Sequence, residues 1–365
     1  MISIDRRLVR EIDWVLLGLV LLQSLIGVFF IYSSSRFLAG DFYVRQLVWI
    51  GISLAVLVFV VAVDYKFFVS LAPYFYVLIA AVLAATLFFA RIVAGTRSWI
   101  TLGLMRLQPS ELAKIVMILV FARLFAEYKS PMLTLPRTLW ALAIAGLPML
   151  LIVLQPDLGT AMTFAAVVGG AFLLAGLKRK TIALFVVVGL LGGVGVWNLA
   201  LKDYQKRRIT TLVNPQGDPR GSGYQVIQSR IAIGSGGFSG TGFMKGTQSQ
   251  LRFLPARHTD FIFSVIGEEA GFLGVFAVAA LYLALLARMF LSVAAARDRA
   301  GVYIVFMASL LIAFQFLVNI MMVVGLFPVV GITLPFLSYG GSSLLASFAA
   351  CGLVLNVKMR RFANV

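Results

Sequence analysis

Residues 14–33 read WVLLGLVLLQSLIGVFFIYS, twenty consecutive residues without a charge. A bilayer core takes about 20 mostly apolar residues per helix, so this stretch decides the class of fold. Comparable runs lie near 44–63, 69–90, 110–127, 137–154, 158–177, 181–201, 261–287, 300–325 and 338–357. Together they predict an all-α integral membrane protein of ten transmembrane helices, a single unit over 1–365. Pro156, after the polar Gln155, marks the turn that keeps two of these runs apart. Composition agrees: 61% of the 365 residues are hydrophobic and 12% charged, against about 45–50% and about 25% in soluble domains. A soluble enzyme and a disordered chain are excluded. The net charge of +17 sits between apolar runs and not in a tail or helix stripe, which argues against nucleic acid as a partner. One cysteine, Cys351, and one histidine, His258, exclude intrachain disulfides and Cys- or His-cluster metal chemistry.

The positive-inside rule orients the spans. With both termini cytoplasmic, sixteen Lys and Arg fall on the inner side. Only Arg36, Arg45, Arg91, Arg97 and Arg106 fall in the short outer loops. One long extracytoplasmic loop, 202–260, then joins helices 7 and 8, and a structureless loop of that length is uncommon. Its basic start, Lys202 to Arg208, suits lipid phosphates. Tyr224, Ile227 and Ile231 recur at helical spacing, which predicts a short interfacial helix. The segment Gly234 to Gly242 lacks nucleotide-binding spacing and reads as a hinge or a backbone anion nest.

Ionisable residues near a membrane interior are costly and point to function. Glu111 and Lys114 share one face of the fourth span, Asp157 opens the sixth and Asp260 precedes the eighth. With the orientation above, all four lie near the outer surface. Each acid also sits where a carboxylate caps a helix N-terminus, and Glu111 can simply neutralise Lys114. Capping and catalysis both stand as readings. His258 reads as a hydrogen-bonding orienter beside Asp260. Gly331 to Ser343, with Ser338 and Ser343 in it, forms the outer loop before the last span and can bind a head group or cap the tenth helix. Glu268 and Glu269 suit packing roles, and Gln315 and Asn319 read as interhelical hydrogen-bond residues.

Acids, a Lys and flanking Arg residues on an outer face suit a phosphate-bearing substrate. Lys114, Arg97 and Arg230 are the candidate phosphate binders. A carboxylate such as Asp260 can take a proton from an attacking hydroxyl, and a divalent metal can offset a diphosphate leaving group. No nucleotide-activated donor pool exists outside the cell, so a group-transfer donor must be carried by a lipid. The residues alone thus indicate an outer site for an anionic lipid, which is either modified or moved.

At these positions the chain resembles the SEDS family (shape, elongation, division and sporulation), and its rod-shape branch more than its division branch. The matching strings are Gln108 to Lys114, Gln155 to Thr160, Gln228 to Gly237, Gly246 to Leu251, Leu254 to Phe263 and Pro335 to Ser343. The resemblance implies a ten-span peptidoglycan glycosyltransferase of the bacterial cytoplasmic membrane that polymerises lipid II during cell elongation. The C4 hydroxyl of one disaccharide attacks the anomeric carbon of another and expels undecaprenyl diphosphate. Asp260 matches the family's essential aspartate, general base or metal-site residue. Glu111 and Lys114 match a supporting ion pair near it. Arg97, Asp157, Arg230, His258, Ser338 and Ser343 complete the expected substrate-binding set. Mg²⁺ or Mn²⁺ is the implied cofactor. A class B penicillin-binding protein and the elongation machinery are the implied partners. Two departures stand out: Ala256 and Arg252 occupy positions where family members commonly carry acids, so no role of those acids transfers here. The competing readings are a lipid II flippase, which needs polar groups at mid-membrane, and a non-catalytic scaffold, which has no need of Asp260.

Overall fold

The computed structural model describes residues 10–36, 38, 40–90, 96–102, 105–128, 132–184, 187, 203–218 and 221–362. Helices α1 (Trp14–Ser35), α2 (Phe42–Ala62) and α3 (Tyr65–Phe89) come first. A two-stranded antiparallel hairpin follows, β1 (Ile100–Leu102) with β2 (Met105–Leu107). Then come α4 (Pro109–Ala126), α5 (Leu135–Leu154), α6 (Leu158–Ala175), α7 (Asp203–Val213), α8 (Ser222–Gly236) and the single turn α9 (Thr247–Gln250). Three long helices complete the chain: α10 (Ile262–Leu291), α11 (Arg299–Val323) and α12 (Gly341–Met359). Helix starts follow capping chemistry. Asp13, Asp64, Asp157 and Asp298 each accept a backbone N–H of the first turn they precede, and Pro109 opens α4 without wasting a donor.

Among the described residues eight helices are long and apolar enough to cross a membrane: α1, α2, α3, α5, α6, α10, α11 and α12. The expectation of ten differs at two places. The run near 181–201 lies largely outside the described residues. The run 110–127 forms α4, but Glu111, Lys114 and Arg123 interrupt its apolar character. This helix contacts α3, α6, α11 and α12, and Lys114 and Glu111, both buried, face protein and not lipid. The hairpin is a further difference, since three-residue strands are too short to show a period.

The long segment before α10 is structured. An α-helix does cover 224–231, as its spacing predicts, but Tyr224, Ile227 and Ile231 do not form its buried face. Gly223, Val226, Ser229, Ala232 and Gly236 do. Small residues let α8 approach α10 closely: a Cβ on Gly236 would stand 1.9 Å from the Gly267 carbonyl oxygen.

Helix α10 is broken at Gly271, which has φ +62°. The glycine-rich strap 237–242 fills the break. Thr241 and Gly242 donate N–H groups to the Glu268 and Glu269 carbonyls, and Phe272 and Leu273 donate to the Gly237 and Phe238 carbonyls. All four bonds lie between 2.9 and 3.2 Å. This satisfies backbone groups that a continuous helix would have paired internally.

The bundle has two polar ends. At one, Asp13 accepts from Arg288 at 2.8 Å and from Lys358, tying the start of α1 to the ends of α10 and α12. At the other stand the starts of α4, α6, α10 and α12, the end of α11 and the strap. The candidate site is at this second end.

Candidate active site

A cavity of about 480 Å³ opens at that end, walled by the segment before β1, the starts of α4 and α6, the turn 256–260 and the loop 329–333. It brings together Glu111, Asp157, Asp260 and Ser343, four residues the sequence had singled out across more than two hundred positions. Among the described residues, Arg208 of α7 is the basic residue on its wall.

Asp260 lies in an irregular turn just before α10. Three successive carbonyls hold that turn. The His258 carbonyl accepts the Tyr339 N–H at 2.9 Å, the Thr259 carbonyl accepts the Ser338 hydroxyl at 2.6 Å, and the Asp260 carbonyl accepts Asn319 Nδ2 at 2.9 Å. The backbone is thereby fixed without using the carboxylate. Opposite it stands Gly331, at φ +74°, where a Cβ would come within ordinary contact distance, 3.5 Å, of Asp260 Oδ2. Burial pushes the Asp260 carboxyl up to about 6, against the opposing pull of a Thr259 hydrogen bond and of the Arg208 charge. A carboxylate poised there is a competent base near neutral pH.

Glu111 and Lys114 form a buried ion pair, with Nζ 2.8 Å from both carboxylate oxygens. Glu111 faces the cavity, while Lys114, 1% exposed, does not line it. Asp157 caps α6: Oδ1 accepts the Thr160 N–H at 3.1 Å and Oδ2 the Thr160 hydroxyl at 2.9 Å. Gln108 Nε2 also donates to Asp157 Oδ2, linking the starts of α4 and α6. Burial raises the Asp157 carboxyl, and the Glu111 charge adds to that. Capping and cavity lining are thus combined in one side chain.

Other expected residues are elsewhere. Arg230 is outside the cavity: its Nε donates to the Val324 carbonyl at 2.9 Å and its Nη2 to the Gly325 carbonyl at 3.1 Å. The guanidinium closes the end of α11, where C-terminal carbonyls attract cations. Arg97 is exposed and not on the wall, although Thr96 and Ser98 beside it are. Ser338 is buried and does not line the cavity; its hydroxyl donates to Thr259 and accepts the Leu334 N–H at 2.8 Å. The His258 ring packs against Phe42 and Tyr339, with centroids 4.8 and 5.7 Å away. Its Nδ1 is buried without a hydrogen-bond partner. Burial, with the Arg257 charge, lowers the imidazole to about 4, which leaves it neutral at pH 7. Ser343 does reach the cavity, sharing a hydrogen bond with Thr333 at 2.8 Å.

Of the further polar residues on the wall, Arg208 belongs to the basic loop start that suits lipid phosphates and Ser342 to the outer-loop stretch that suits a head group. Gln108, Thr160 and Gln225 are neutral polar residues to which charge and spacing give no site role.

The donor set bears on a divalent cation. Among the described residues no three His, Cys, Asp or Glu side chains cluster as ligands. Glu111 is engaged by Lys114, and Asp157 by Thr160 and Gln108, which leaves Asp260 as the acid available to a metal. One carboxylate fits Mg²⁺ or Mn²⁺ only where substrate phosphate oxygens complete the coordination.

Comparison with known proteins follows from this geometry. The family model described as a cell cycle protein, FTSW_RODA_SPOVE, matches residues 13–362. Peptidoglycan glycosyltransferase MrdB of Escherichia coli (strain K12) is 40% identical over 319 residues, covering 87% of this chain and 85% of MrdB. A solved chain from a peptidoglycan synthase complex that coordinates polymerization and crosslinking superposes with a TM-score of 0.82 at 33% identity, covering 97% of this chain and 99% of that one. The crystal structure of the Thermus thermophilus rod shape determining protein RodA gives 0.69 at 28% identity, covering 97% and 98%.

Proposed function

The chain belongs to the FtsW/RodA/SpoVE family, the SEDS family that its motifs resemble, and on that premise we propose a lipid II polymerase whose base is Asp260. It is a multi-pass membrane protein and a peptidoglycan glycosyltransferase. The finer reading has ten transmembrane helices in the bacterial cytoplasmic membrane, both termini cytoplasmic, with the cavity on the outer face. The enzyme works in cell elongation with a class B penicillin-binding protein.

The observation that carries the mechanism is the single cavity shared by Asp260, Glu111, Asp157 and Arg208. The C4 hydroxyl of one disaccharide forms a bond to the anomeric carbon of another. Asp260 accepts the hydroxyl proton, and the bond from that carbon to the diphosphate oxygen breaks, releasing undecaprenyl diphosphate. Arg208 offsets the negative charge that gathers on the leaving group. Asp260, together with substrate phosphate oxygens, would hold Mg²⁺ or Mn²⁺, and such an ion would supply further charge stabilisation. The Glu111–Lys114 pair and Asp157 keep the starts of α4 and α6 in place around the substrate.

A flippase would carry polar groups through the middle of the bundle, whereas the cavity acids gather at one end. A scaffold would need no half-buried acid with a raised carboxyl. The test is polymer formation by the purified protein, with its partner, from labelled lipid II and Mg²⁺. Wild type yields glycan strands and Asp260→Ala yields none while still folded. Normal polymerisation by Asp260→Ala removes the base assignment. Transfer of lipid II across vesicles without polymer supports the flippase. Loss of activity on chelation, restored by Mg²⁺ or Mn²⁺, tests the metal.

A further inference from the structure

We propose that Asn319 is the positioning residue for Asp260, setting the depth of its carboxylate in the cavity by bridging two irregular backbone segments. The inference rests on the reading of Asp260 as the base. Asn319 lies near the end of α11 and is fully buried. Its Nδ2 donates to the Asp260 carbonyl at 2.9 Å and to the Ile332 carbonyl at 2.7 Å, one amide hydrogen to each. Neither acceptor belongs to a helix or strand, so regular structure does not hold either one. Ile332 adjoins Gly331, which faces the carboxylate: a Cβ there would stand 3.5 Å from Asp260 Oδ2. Asn319 therefore fixes the turn that carries the acid relative to the wall the acid faces.

The chemistry of Asn319 supports a donor role. Its Oδ1 is buried without a partner, so the position uses the two N–H groups and leaves the acceptor unmet. Its foundation is fixed as well. Beyond Asn319, the end of α11 is held by the Ser229 hydroxyl on the Val323 carbonyl and by Arg230 on the next two. Tyr339 and Ser338 hold the neighbouring carbonyls of 258 and 259, but Asn319 holds that of Asp260 itself. A displacement of about 1 Å at a reacting group lowers rate by about a hundredfold.

The test uses full-length protein with its partner and labelled lipid II. Asn319→Leu keeps the volume and removes both donors. The expected result is a fall in kcat of about tenfold to a hundredfold, with KM for lipid II within about twofold, since Asn319 does not line the cavity. The split between kcat and KM is the readout that a purely structural role would not give, because general loosening of the cavity wall changes both, whereas misplacement of Asp260 alone lowers kcat. If Asn319→Leu does not fold, Asn319→Ser and Asn319→Ala decide: one hydroxyl donor recovers part of the rate, and equal rates overturn the proposal. Unchanged kcat in a folded Asn319→Leu also overturns it. Wild type that makes no polymer overturns the glycosyltransferase reading instead, so the two failures are distinguishable.

Discussion

Lys114 Nζ sits 2.8 Å from both carboxylate oxygens of Glu111, one helical turn away, and the lysine is 1% exposed. Two charges taken out of water in this way stand only together. Removing one partner leaves the other buried and unpaired, which costs about 3–5 kcal/mol. Lys114→Met should therefore lower thermal stability sharply and reduce membrane yield. Glu111→Gln combined with Lys114→Met should recover most of that loss. Thermal unfolding in detergent of the two single variants and the double variant measures the coupling. Simple additivity would mean that the pair is not a unit.

Asp260 links activity and stability in opposite directions. Burial raises its carboxyl to about 6 from an unfolded value of about 3.9. The folded state thus holds the proton more tightly, so this residue's contribution is most favourable below about pH 4 and is lost as pH rises through about 6. Asp260→Asn should raise the unfolding temperature at pH 7.5 and leave it unchanged near pH 4. The same ionisation creates the base, so wild-type rate should climb through about pH 6. A variant no more stable than wild type at pH 7.5 would show that the acid is not strained by burial.

Gly271 tests the break in α10. A Cβ there would stand 2.3 Å from the Gly240 nitrogen, on a residue already at φ +62°. Gly271→Ala should destabilise by more than about 1 kcal/mol and open the strap 237–242 to proteolysis. Limited digestion of intact membranes reads this directly. A strap still resistant in the variant would mean that the joint tolerates a side chain.

Asp157 caps α6 and receives Gln108 from the start of α4. Loss of an N-cap costs about 1 kcal/mol. Asp157→Ala should show at least that in thermal unfolding, together with a raised KM for lipid II as the cavity wall loosens. Asp157→Asn retains an acceptor oxygen and should recover the stability. A KM that follows neither variant would confine Asp157 to capping.

Much of this molecule was legible before any fold was drawn. Charge-free runs such as 14–33 have one physical fate in a bilayer, because backbone groups there must pair within the segment. Spacing also placed Glu111 and Lys114 on one face. Helical periodicity in 224–231 was real: a helix forms there, with Ile231 left exposed. Which face packs on α10 was not legible, because close approach selected the small residues Gly223, Ser229 and Gly236.

Charge type alone could not say which cations meet the substrate. Arg230 and Arg208 read alike in one dimension. Tertiary structure turned the first onto the carbonyls ending α11 and the second onto the cavity wall. Asn319 likewise carries no signal beyond a polar residue in an apolar helix, because its role depends on two carbonyls, one 59 residues away and the other 13. Hydropathy is a local property and survives in the sequence. Convergence of distant backbone and side-chain groups at one end of a bundle is decided only when the helices pack.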